Sequence, residues 1–120
     1  MLAQEFTSDE FARSIGVVAD VKFNSLRNLI VAEISADQAD ILENVLELSL
    51  LISHPAEQEK DIQLVLTPST KHSFRAELPQ NLQGRWYLRL QGLGLDSKEL
   101  WRLHGEIQFD QQQAITLAPK

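Results

Sequence analysis

Three histidines, His54, His72 and His104, are the residues of this chain best suited to proton transfer or metal ligation. None has a second histidine at ligand spacing. The sequence holds no cysteine, and its one methionine is Met1. A zinc or copper site needs several convergent nitrogen or sulfur donors, so this spacing reads as surface histidines. Glu57, Glu59 and Asp61 fall in one charged loop, where solvation explains them better than acid–base work, which needs a pocket that perturbs their pKa. The serines include no Gly-x-Ser-x-Gly elbow. Gly92, Leu93 and Gly94 lack the third glycine and the following helix of a phosphate-binding loop. No catalytic constellation emerges. The expectation is a protein that is not an enzyme, with no metal, no cofactor and no small-molecule substrate.

One surface stands apart. Residues 85–90 alternate, with Trp86, Leu88 and Leu90 on one side and Arg85, Tyr87 and Arg89 on the other. Residues 100–109 echo them: Trp101, Leu103, Gly105, Ile107 and Phe109 against Arg102, His104, Glu106 and Gln108. A side-chain period of two marks a strand with one buried and one wet face. Arg85, Tyr87, Arg89, Arg102 and His104 are therefore the candidate partner-binding residues, because arginine and tyrosine carry much of the energy at protein interfaces. The alternative is a solvated sheet face with cross-strand pairs such as Arg89 with Glu106 or Glu47.

The elements that would position these residues follow from the same periodicity. Residues 7–15 read as a short helix, with Thr7 and Glu10 at capping-box spacing, Phe11 and Ile15 one turn apart for docking, and Gly16 as its stop. Strands are expected at 17–23, 29–35, 45–53, 62–67, 73–78, 85–90 and 100–109, with a further short one at 114–117. The segment 36–44 would form a helical turn or two and cross from one sheet to the other. Pro68 suits the first corner of a turn over 68–71. The fold expected is all-β: an immunoglobulin-like two-sheet antiparallel β-sandwich of about seven strands with a short N-terminal helix. Lettering the strands A to G, A, B, E and D would form one sheet and C, F and G the other. Residues 1–16 would be a helical arm and residues 17–120 the sandwich domain.

Composition sets the class. The 120 residues suffice for one domain with a real core and no disulfides. Acidic residues outnumber basic ones, for a formal charge of −6, which argues against a nucleic-acid partner. No run is long and apolar enough to span a membrane.

The stretches from Leu50 to Pro55, Asp61 to Leu66, Phe74 to Leu78, Gly84 to Leu90 and Trp101 to Leu103 resemble the soluble domain of the FixH (CcoH) family. The resemblance rests on a strand closed by His54-Pro55, on Asp61 a few residues later, on the Gly84-Arg85-Trp86 strand start and on Trp101-Arg102. It implies an immunoglobulin-like periplasmic domain tethered to the inner membrane by one N-terminal transmembrane helix, which would precede Met1. It also implies a role in assembling the cbb(3)-type haem–copper cytochrome c oxidase, with that membrane complex or its assembly factors as partner. The family's juxtamembrane segment is replaced here by residues 5–11, which marks a divergent member. Two other readings stay open: a generic extracytoplasmic interaction module of immunoglobulin type, and a copper-binding accessory domain.

Overall fold

Alternating apolar and polar residues fold the chain into antiparallel strands, each with one face in a common core. The computed structural model describes residues 8–120, with side chains from Glu10 onward. A helix, α1 (Ser8–Ile15), precedes β1 (Val18–Asn24), β2 (Leu29–Ser35), β3 (Glu47–Ser53) and β4 (Ile62–Thr70). Then come β5 (Ser73–Glu77), β6 (Arg85–Leu93), β7 (Glu99–Gln108) and β8 (Ala114–Leu117).

The spatial order is β7-β6-β3-β4-β5-β2-β1-β8. The two expected sheets are legible within it as the runs β4-β5-β2-β1 and β3-β6-β7, joined into one eight-stranded sheet by β4. Its first half pairs with β3, placing Ile62 opposite Ile52 and Leu66 opposite Leu48. Its second half pairs with β5, placing Thr67 opposite Arg75. The crossing from β2 to β3 runs through a 3-10 turn at Ala39–Asn44 that buries Leu42, as the sequence suggested. After β8, Ala118 pairs with His104 of β7: the His104 N–H donates to the Ala118 carbonyl at 2.8 Å and the Ala118 N–H donates back at 3.1 Å. That bridge brings the two ends of the strand order together.

Inner residues of both runs, among them Val21, Ile30, Leu48, Leu50, Leu90, Trp101 and Leu103, belong to one buried cluster. Ile62 and Leu64, which alternate with Gln63 and Val65, are only half-buried. They lie on the first half of β4, which has no strand neighbour on its other side. Trp101 lies across Gly92, its partner on β6, where a Cβ would overlap the indole ring. A β-bulge follows at Leu93 and Glu99.

Three local expectations are corrected. Pro68 does not open a turn; it sits within β4 opposite Phe74, next to a bulge. The turn is Lys71–His72, with His72 at φ 63°. A missing N–H is tolerated at Pro68 because that half of β4 has a strand neighbour on one side only. The strand expected from residue 45 begins at Glu47, so Leu46 precedes β3 and is half exposed. In α1, Phe11 stays exposed; Ala12 is fully buried and Ile15 packs against the core. The helix ends at Gly16, as expected, in a Schellman motif. Gly16 has φ 66°, its N–H reaches the Arg13 carbonyl, and the Val17 N–H reaches that of Ala12 at 3.1 Å. The capping box reading rests on Thr7, outside the described residues. No described helix is long and apolar enough to cross a membrane.

Candidate functional site

The outer faces of β3, β6 and β7 form a continuous surface whose rows are set by register. One row is Leu51, Arg89, His104 and Ala118. The next is Ser53, Tyr87 and Glu106, and a third is Ser49, Gln91 and Arg102. All five sequence candidates, Arg85, Tyr87, Arg89, Arg102 and His104, lie on this face, since Trp86, Leu88 and Leu90 take the alternate positions inward.

The arginines differ in what holds them. Arg85 Nε meets Glu106 Oε1 at 3.3 Å, and its guanidinium stands 5.8 Å from the centre of the Tyr87 ring. Arg102 makes a forked contact with Glu99, Nη2 to Oε1 at 3.0 Å and Nε to Oε2 at 3.2 Å, and Gln91 donates to the same carboxylate. The bulge makes this possible by turning Glu99 onto the face of Arg102. Arg89 has no carboxylate in its row, and no ion pair joins it to Glu106 or Glu47 among the described residues. Its Nε is buried without a hydrogen-bond partner. A buried, unpaired donor costs on the order of 1–3 kcal/mol.

Around Arg89 the surface sinks into an open groove of about 540 Å³. Leu51 and Ser53 form one side, Tyr87, Arg89, His104 and Glu106 the floor, and Ala118, Pro119 and Lys120 the far wall. Sequence reasoning missed that tail as a wall. The only signal was the short apolar alternation of 114–117 at the chain's end, which says nothing of where the strand docks.

The histidines do not converge. His54 follows β3, His72 occupies the β4–β5 turn and His104 lies on β7. Among the described residues no group of three or more His, Asp or Glu side chains could hold a metal ion. His54 has a structural role instead. Its Nδ1 accepts the N–H groups of Ala56 at 3.1 Å and Glu57 at 3.0 Å, so that nitrogen carries the lone pair. Its own N–H donates to Asp61 Oδ1 at 3.0 Å. Its ring meets Trp86 edge-to-face, centroids 4.9 Å apart, and Trp86 Nε1 donates to the Gln83 carbonyl at 2.8 Å. Beyond it, the Lys60 ammonium bonds Glu57 at 2.7 Å and holds that carboxyl below its usual range. The His-Pro, Asp and Gly-Arg-Trp elements singled out in the sequence thus meet around one loop. They build the scaffold under the face, and of their residues Arg85 alone stands on the face as a candidate.

A family model described as FixH matches residues 2–108, most of the chain. No curated protein matches it.

Proposed function

We propose, from the premise that the chain belongs to the FixH family, that it is a non-catalytic domain that docks on a membrane protein complex through the outer face of β3, β6 and β7. In this reading the domain sits on the periplasmic side of the inner membrane, tethered by a helix encoded ahead of Met1, and assists assembly of the cbb(3)-type cytochrome c oxidase. The observation that carries the docking part is the face itself. It sets Arg85, Tyr87, Arg89, Arg102 and His104 on one rigid sheet, with an open groove at its centre, in a protein of net charge −6. Aromatic and arginine side chains held by a sheet lose little entropy on docking.

The test is co-purification from membranes with the full-length tagged protein. Arg89→Glu should reduce recovery of oxidase subunits or assembly factors while the domain stays folded, with an unchanged far-UV circular-dichroism spectrum. Undiminished recovery would remove the face from the docking role. A gene without a hydrophobic segment upstream of Met1 would remove the tether.

A further inference from the structure

We propose that the groove beside Arg89 recognises a carboxylate carried on an extended segment of a partner protein. This deepens the docking reading by naming the chemistry of what docks. Of the arginines on the outer faces of β6 and β7, Arg85 is matched by Glu106 and Arg102 by Glu99. Arg89 is matched by nothing acidic: its row is Leu51, His104 and Ala118, and its Nε has no hydrogen-bond partner among the described residues. A guanidinium is a planar fork of donors that a carboxylate fills with two parallel bonds; Nε is buried, so it is the Nη end of this fork that is left for an outside acceptor.

The surroundings favour a chain over a free acid. The groove is open, and it crosses β3, β6 and β7 as far as the tail at Ala118–Lys120. An extended segment can lie across it and leave at both ends, whereas a small ligand would lack the enclosing walls that bury most of its surface. Leu51 and the Tyr87 ring flank Arg89 and offer apolar contact to a residue beside the carboxylate. Lys120 adds a second cation at the far wall. Among the described residues, Glu106 is the one acidic side chain lining the groove, and Arg85 holds it. Because the protein as a whole is acidic, an acidic segment is repelled elsewhere and drawn to this patch.

The experiment is an NMR titration of the isotopically labelled protein with a capped pentapeptide, Ala-Leu-Glu-Leu-Ala, against its glutamine counterpart, Ala-Leu-Gln-Leu-Ala. Backbone signals of Leu51, Arg89, His104 and Ala118 should shift with the glutamate peptide and not with the other. Arg89→Gln should weaken binding at least about tenfold, while Arg75→Gln, exposed on β5 away from the groove, should leave it within about twofold. Equal shifts with both peptides, saturable binding retained in Arg89→Gln, or no shift up to millimolar peptide would each overturn the assignment. The two readings fail separately. A domain that co-purifies with its partners through this face yet ignores the glutamate peptide loses the carboxylate assignment alone. A domain that binds the peptide, but whose Arg89→Glu variant still recovers the same partners, loses the docking reading alone.

Discussion

His54 shows how one residue can resemble a functional group and act as a joint. Its Nδ1 takes the N–H groups two and three residues ahead, the positions an Asx turn satisfies with a side-chain oxygen. Pro55 then fixes the path out of β3, and Asp61 ties the loop's far end back to the His54 N–H. The ring contact with Trp86 fastens this loop to the start of β6. His54→Ala should therefore cost about 1–2 kcal/mol, for two lost bonds and a ring contact. His54→Asn keeps an acceptor at the δ position and should cost less than half as much. Trp86→Ala should cost about 3–5 kcal/mol, as a buried aromatic truncation. Urea midpoints at constant slope would measure all three. An asparagine variant as unstable as the alanine one would refute the joint. That these residues mark the chain was legible in the sequence; that they mark a joint was not, because period and spacing do not say which N–H a ring nitrogen faces.

At the level of elements, alternation served well wherever a strand runs straight. Trp86, Leu88 and Leu90 on β6, and Trp101, Leu103 and Ile107 on β7, are buried as their period requires. Two features escaped it for physical reasons. A strand's own pattern reports which face is dry, not which neighbours it bonds, so the double pairing of β4 and the place of Pro68 were invisible. Strict alternation also puts Glu99 on the side of Trp101. The bulge at Leu93 and Glu99 turns it outward, and so Arg102 found a partner that spacing did not suggest. Glycines set the tolerances at the element ends. Gly92→Ala should push the Trp101 ring off β6 and cost about 1–3 kcal/mol by overpacking, with a change in tryptophan emission. Gly16→Ala places a Cβ in the left-handed region and should cost about 1–2 kcal/mol through the helix end, without that spectral change. Matched emission changes in both variants would contradict the placement of Trp101 over Gly92.

Across the whole molecule, the strand order nearly closes on itself, and what closes it bears on the face that docks. β7 is held by β6 on one side; on the other, among the described residues, only His104 has a strand-like partner, Ala118. Residues 99–103 would otherwise offer an unpaired edge, the kind of surface that recruits a second chain. α1 packs against β7, and Ala12 enters the same core as the strands. The helix thus acts as a cover for that flank as well as a lead into β1. Deleting residues 1–16 should then do two things. It should lower stability by about 2–4 kcal/mol, through loss of the buried Ala12 and Ile15 contacts and the helix end. It should also make the domain self-associate with rising concentration, through the uncovered edge of β7. Sedimentation velocity over a concentration series, alongside urea unfolding, would read both. A truncated domain that stays monomeric and keeps its unfolding midpoint would make α1 a detachable arm and leave β7 protected by something else. If instead it dimerises, the groove peptide should still bind the dimer. The edge of β7 and the outer face at Arg89 of β6 are different surfaces of the same sheet, and only the edge would be occupied.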